Sequence, residues 1–181
     1  LQRDLASAKR VRVTLEQQRQ LAILEEARAN EATKVSGQSK IWKGGGPTGV
    51  SSSRTTEAMR AKAVEFAKRQ VLSGKPYVWG DEGPNSFDCS GLVYAAYKSA
   101  GLGWPNWDRL NSGLYYTYTK QIPLSEMQPG DLLFFGKPIS HVSMYMGGGK
   151  MVQAPRPGKR VEVVNLTKRF GSKPFVGARR L

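Results

Sequence analysis

The sequence has little of several residue types, and each shortage narrows the class of protein. It contains one cysteine and one histidine. A single cysteine cannot form an internal disulfide, and this pair is too small for the usual four-ligand structural zinc site. The chain has no run of about 20 apolar residues of the kind that a membrane-spanning helix requires, and no recognisable signal peptide. Because it begins at Leu1, we expect it to be a piece of a longer product, so the missing signal excludes nothing.

Acidic residues are also scarce. The chain has 28 Lys and Arg residues against 14 Asp and Glu, a net charge of +14. Such an excess favours polyanionic partners: nucleic acid, anionic lipid surfaces or the phosphate-rich polymers of bacterial cell walls. No nucleic-acid-binding motif is present, so we expect no specific nucleic-acid partner. Anionic wall polymers remain a possible class of partner for the basic surface.

The composition changes twice along the 181 residues. Residues 1–34 lack Gly and Pro and predict a separate helical segment. Residues 35–54 are rich in Gly and Ser and predict a flexible linker. The remaining residues, 55–181, are enough for one domain with a buried core. The sequence therefore predicts a long N-terminal helix, a linker and one globular domain.

The pattern within residues 55–181 predicts an α+β fold. A helix capped by Thr55 or Thr56 is expected up to Ser73, with Met59, Ala63, Phe66, Ala67 and Val71 on its apolar face. A second helix is expected from about Leu92 to Gly101. Short runs with strand character follow, separated by Gly-rich turns, at 131–135, 141–146, 150–154 and 160–164. Helices followed by such strands indicate N-terminal helices packed on an antiparallel sheet.

The only cysteine and the only histidine both occupy positions suited to nucleophilic catalysis. Cys89 immediately precedes the second predicted helix, where unpaired N–H groups and the helix dipole favour the thiolate and can hold an oxyanion. His141 opens a predicted strand and is the only histidine that can act as the base. Gln153 lies on the next predicted strand, and its side-chain carbonyl can orient the imidazole.

Five sequence blocks in this order resemble the NlpC-type cell-wall endopeptidases, a papain-like family, over roughly residues 60–165. The blocks are Tyr77-Val78-Trp79-Gly80, Phe87-Asp88-Cys89-Ser90-Gly91-Leu92-Val93, Pro129-Gly130-Asp131-Leu132-Leu133-Phe134-Phe135, His141-Val142-Ser143-Met144-Tyr145-Met146-Gly147 and Met151-Val152-Gln153-Ala154-Pro155. Each block alone is weak evidence, but the ordered set is specific.

The resemblance implies a secreted or wall-associated bacterial thiol protease that hydrolyses an amide in the stem peptides of peptidoglycan. In the family this amide typically joins D-γ-glutamate to the following diamino acid. Cys89 would be the nucleophile and His141 the general base, and no cofactor or metal would be needed. Tyr77, Asp88 and Ser90 would line the pocket that receives the amino end of the stem. For Asp88 a purely structural role as a helix cap is the alternative.

The chain departs from the family at Gln153, where members most often carry a histidine. An amide stabilises an imidazolium less, so a wall-binding module that has lost catalysis is one alternative. Another is a different amide substrate or an acyl transfer.

Two further segments leave alternatives open. Ile41 and Trp42 could fold into the cleft and inhibit it, and the aromatic residues of 104–118 could form a binding wall or a core flap.

Overall fold

The computed structural model describes residues 53–102 and 110–181. The predicted segments 1–34 and 35–54, with Ile41 and Trp42, lie outside the described residues except for the linker's last two positions. The elements in chain order are helices α1 (Glu57–Leu72), α2 (Cys89–Ser99) and α3 (Ser112–Thr117), strand β1 (Lys120–Ile122), a 3-10 turn (Leu124–Glu126), and strands β2 (Leu132–Phe135), β3 (His141–Gly147), β4 (Lys150–Gln153), β5 (Glu162–Asn165), β6 (Arg169–Phe170) and β7 (Lys173–Arg180).

The strands form one antiparallel sheet with the order β1-β7-β2-β3-β4-β5, and β6 pairs with β7. Helices α1 and α2 pack against each other, and both contact β3. The predicted α+β class, with N-terminal helices on an antiparallel sheet, is therefore confirmed. Among the residues with described positions, no helix has the length and apolar character required to cross a bilayer.

Side-chain caps begin the first two helices. Thr56 accepts a hydrogen bond from the Met59 amide at the start of α1, and Asp88 accepts one from the Gly91 amide at the start of α2. Both caps satisfy amide groups that the first helical turn leaves unpaired. Helix α2 begins at Cys89 itself, whereas the sequence predicted its start a few residues later.

The buried face of α1 differs from the predicted one. Ala63 and Ala67 are buried as expected, but Met59, Phe66 and Val71 are only partly covered. Arg60 is buried in their place, and its guanidinium donates to the Thr55 carbonyl at 2.8 Å and to Gln128 Oε1 at 3.2 Å. A buried arginine needs such partners because its charged form cannot be left unsolvated. The apolar spacing therefore identified the helix correctly and its inner face only in part.

Strand β2 lies inside the sheet, between β7 and β3. All four of its residues are buried, which explains the unbroken apolar run Leu132–Phe135. Just before it, Asp131 is fully buried and forms a two-bond ion pair with Arg180 of β7, at 2.6 and 2.8 Å. The ion pair joins the start of β2 to the end of β7.

Candidate active site

The structure brings together two of the three residues predicted to act in catalysis. His141 is the first residue of β3 and Gln153 the last of β4, and these strands pair with each other. The Nε2 atom of His141 lies 2.7 Å from Oε1 of Gln153. A side-chain amide oxygen can only accept, so Nε2 carries the proton and donates. In the neutral ring Nδ1 is then the nitrogen with a lone pair.

The far end of the Gln153 amide is bound as well. Its Nε2 donates to Oε1 of Glu162 at 3.0 Å. Glu162 is the cross-strand neighbour of Gln153 in the pairing of β4 with β5. The three side chains thus form a continuous series of hydrogen bonds from Glu162 through Gln153 to His141.

The imidazole of His141 is enclosed by aromatic rings. Its side chain is nearly inaccessible to solvent, with a relative exposure of 2%. The ring of Phe170 stacks on it almost in parallel, at 3.9 Å between centroids and 10° between planes, and Phe135 lies 5.8 Å away at a tilt. These contacts fix the plane of the imidazole and exclude water from one of its faces.

This enclosure changes the acidity of His141. Burial lowers its pKa from the ordinary 6.5 to about 4, because the charged form loses its hydration. The hydrogen bond to Gln153 opposes this effect, and the positive charge of Lys173 on β7 adds to it. At neutral pH the imidazole is therefore uncharged and able to accept a proton.

Cys89 begins α2 and is buried, with 9% of its surface exposed. Helix α2 packs on β3, the strand that His141 begins. The thiol therefore stands at a helix N-terminus, where backbone amides and the positive end of the helix dipole favour a negative charge.

The three predicted pocket residues lie at or before the start of α2. Asp88 is 1% exposed, and its carboxylate accepts from the amides of Gly80 and Gly91 at 2.8 and 2.7 Å and from the Ser90 hydroxyl at 3.3 Å. Tyr77 is half-buried and pairs through its backbone with Phe87, two residues before Cys89. Asp88 therefore does cap the helix, and a substrate-binding role for Tyr77, Asp88 and Ser90 stays a prediction.

Sequence reasoning missed Glu162 and Phe170. Glu162 could have been found by counting outward from the turn between β4 and β5, since it pairs directly with Gln153. Phe170 had no such signal, because β6 is only two residues long and was not predicted.

The aromatic segment 104–118 is described in part, since Trp104–Arg109 falls within the stretch that the structure leaves out. Tyr115 is fully buried. Tyr116 packs edge-on against Phe134, with the guanidinium of Arg179 at 3.9 Å from its ring centroid. These contacts favour a core role for the two tyrosines over a substrate-binding wall.

The family model for the NlpC/P60 family matches residues 74–180. The chain belongs to the NlpC/P60 family. This membership confirms the family resemblance found in the sequence, and it covers the strands and helix that carry Cys89, His141 and Gln153.

Named relatives of this NlpC/P60 chain are peptidases. The chain is 40% identical over 112 residues to the γ-D-glutamyl-L-lysine dipeptidyl-peptidase of Bacillus subtilis (strain 168), covering 59% of this chain and 36% of the relative. It is 38% identical over 128 residues to the murein DD-endopeptidase MepH of Escherichia coli (strain K12), covering 66% and 46%. The chain thus spans between a third and a half of the length of these relatives.

The fold is similar to that of a solved NlpC/P60 family protein from Bacillus cereus ATCC 10987. The TM-score is 0.58 and the sequence identity 31%, and the match covers 67% of this chain and 39% of the other.

Proposed function

We propose that this NlpC/P60 chain is a cysteine peptidase that hydrolyses an amide in the stem peptides of peptidoglycan. Cys89 is the nucleophile, His141 the general base and Gln153 the residue that orients the base. One observation carries the proposal: the only cysteine begins a helix packed on the strand that the only histidine begins, and Gln153 holds that histidine in one tautomer.

The reaction proceeds through a thioester. Nδ1 of His141 accepts the proton of the Cys89 thiol, and the sulfur attacks the carbonyl carbon of the scissile amide. Amide groups at the start of α2, that of Cys89 included, hold the oxyanion of the tetrahedral intermediate. The intermediate collapses as the C–N bond breaks, and the leaving amine takes the proton back from His141. Water, activated by the same imidazole, then hydrolyses the thioester and releases the acid.

The bond that we propose joins D-γ-glutamate to the following diamino acid. The relative from B. subtilis, whose name specifies a γ-D-glutamyl-L-lysine peptidase, supports this assignment. The amino end of the stem would bind beside Tyr77, Asp88 and Ser90, where the Asp88 carboxylate offers an anion for a free ammonium.

The decisive experiment is digestion of purified peptidoglycan, with mass spectrometry of the released fragments. The full chain, Cys89→Ala and His141→Ala are compared. Release that disappears in both variants supports the peptidase, and the fragment masses identify the bond. Unchanged release in Cys89→Ala would refute the proposed nucleophile.

The second candidate is a wall-binding module without catalysis. The neutral Gln153 favours it, because an amide gives the imidazolium less support than a charged or titratable neighbour. Co-sedimentation with insoluble peptidoglycan in the same experiment separates the two functions. Binding without release of fragments, by the intact chain and by a chain that lacks residues 1–52, would support the module.

If the N-terminal segment inhibits the domain, a failure of the full chain to release fragments does not show that the domain is inactive. The digestion should therefore be repeated with a shortened chain. A shortened chain should begin no later than residue 53, because Ser53 and Thr55 both bind the carbonyl of Leu181 and Thr55 also accepts from Arg60. If Ile41 and Trp42 occupy the cleft, this shorter chain will cut faster than the full chain. Equal rates would contradict that hypothesis.

The basic surface supports a second contact, with anionic wall polymers. Arg156, Lys159 and Arg160 are exposed in the loop that pairs with the segment of Tyr77. We propose that the protein acts outside the cell or on the wall, and that its binding to whole walls weakens as salt screens these charges. Co-sedimentation that does not respond to salt would refute this contact.

A further inference from the structure

We infer that Glu162 is a positioning residue, which holds the amide of Gln153 in the one orientation that makes His141 a base through Nδ1. The inference rests on the proposed function of His141 and Gln153, and it adds a residue that neither the motifs nor the family match identified. Glu162 touches Gln153 and acts on the imidazole only through it.

The amide of Gln153 can lie in two orientations that fill the same space. In the observed one, its oxygen accepts from Nε2 of His141 and its nitrogen donates to Glu162. In the flipped one, the amide nitrogen would face Nε2 of His141, and the amide oxygen would face the carboxylate.

The flipped amide would disable the base. Because its N–H groups donate, Nε2 of His141 would have to accept, and the ring proton would move to Nδ1. That nitrogen could then no longer take a proton from the thiol. Once the imidazole became charged, its Nε2–H would face another donor in a buried site, where unsatisfied polar groups are costly.

The carboxylate of Glu162 acts against the flipped state. A carboxylate accepts but does not donate, so it can bind the amide nitrogen and repels the amide oxygen. Its place is fixed by the backbone, since Gln153 and Glu162 are opposite each other in the antiparallel pairing of β4 and β5. The charge of Lys173 acts on His141 from β7, where it lowers the pKa of the imidazole.

The single histidine makes the test direct. Nitrogen NMR of the full-length Cys89→Ala protein at neutral pH shows one imidazole, and its two ring nitrogens report the tautomer. We expect the Nε2–H tautomer. Glu162→Leu removes the acceptor, and we expect both tautomers to be populated. Glu162→Gln offers an oxygen at the same place, and we expect it to restore the Nε2–H form.

Glu65→Leu is the matched control, since it removes the same charge from α1, where Glu65 is exposed and pairs with Lys68. It should leave the imidazole spectrum unchanged. In proteins that retain Cys89, Glu162→Leu should lower kcat by about tenfold with little change in KM, the effect of losing one hydrogen bond to a buried polar group. Glu162→Gln should recover most of that loss.

A pure Nε2–H spectrum in Glu162→Leu would overturn the inference, whatever the activity. A shifted tautomer in that variant would support it, even if neither the intact chain nor the chain shortened to begin at residue 53 released anything from peptidoglycan. In that case the proposed function would fail while the positioning role stood. If Glu162→Leu unfolds, Glu162→Lys decides the question, because its ammonium can only donate and should attract the amide oxygen of Gln153. A pure Nε2–H spectrum in this folded variant would overturn the inference.

Discussion

The buried imidazole of His141 should make the domain sensitive to mild acid. Its pKa is about 4 in the folded protein, against 6.5 in its ordinary state. Between these two values the unfolded chain binds a proton that the folded chain does not. The free energy of unfolding therefore falls as the pH drops from 6.5 towards 4, and this contribution is constant above and below that window.

The size of the effect follows from the shift. One pKa unit corresponds to about 1.4 kcal/mol, so the difference between 6.5 and about 4 amounts to about 3 kcal/mol. Domains of this kind are stable by roughly 5–15 kcal/mol, so this one side chain would remove a sizeable part of the stability.

The assay is urea unfolding across a pH series for Cys89→Ala and for Cys89→Ala with His141→Asn. The carboxylates titrate in both proteins and cancel in the difference. The difference in free energy of unfolding should change by about 3 kcal/mol between neutral pH and pH 4, with the histidine-containing protein losing more. Parallel curves, or an NMR titration of His141 near its ordinary pKa, would refute the reasoning.

Three further substitutions test other contacts. Arg180→Met leaves the buried Asp131 carboxylate without its ion pair and should lower the free energy of unfolding by about 3–5 kcal/mol in chemical denaturation; a loss below about 1 kcal/mol would contradict that role. Asp88→Asn keeps one oxygen for the helix cap but turns an amide nitrogen towards the Gly80 N–H, so the free energy of unfolding should fall by about 1–3 kcal/mol while KM rises for stems with a free amino end; an unchanged KM would leave Asp88 a structural role alone. Phe170→Ala opens one face of His141, and NMR should show its pKa rising towards 6.5; a value still near 4 would show that other groups enclose the ring.

The sequence predicted those parts of the fold whose residues carry a local pattern. Such patterns are the helical spacing around Ala63 and Ala96, the apolar run of β2 and the alternating apolar residues of β3, and the structure has helices and strands there. Strand β7 has none, because it contains Pro174, Gly177 and two arginines. It is a strand because β1 and β2 pair with it on either side.

The residues of the candidate site also differ in whether the local sequence identifies them. The sequence identified Cys89, His141 and Gln153, because each lies in a motif and near the end of a predicted helix or strand. Glu162 reaches Gln153 through the pairing of β4 with β5, and Phe170 reaches His141 from a hairpin that is distant from it in the sequence. Burial of Arg60 was also missed, since it depends on partners outside the helix that no periodicity reveals.

The position of β7 in the sheet has a consequence for how the protein is made. This strand is the last of the seven described strands in chain order, yet it lies between β1 and β2. As synthesis proceeds from the N-terminus, the other described strands leave the ribosome before β7. Until β7 follows, the edges of β1 and β2 that pair with it have no strand to bind. The hairpin that carries Phe170 to His141 depends on the same late strand. A chain that still lacks β7 can therefore neither join β1 to β2 nor hold the hairpin from which Phe170 stacks on His141.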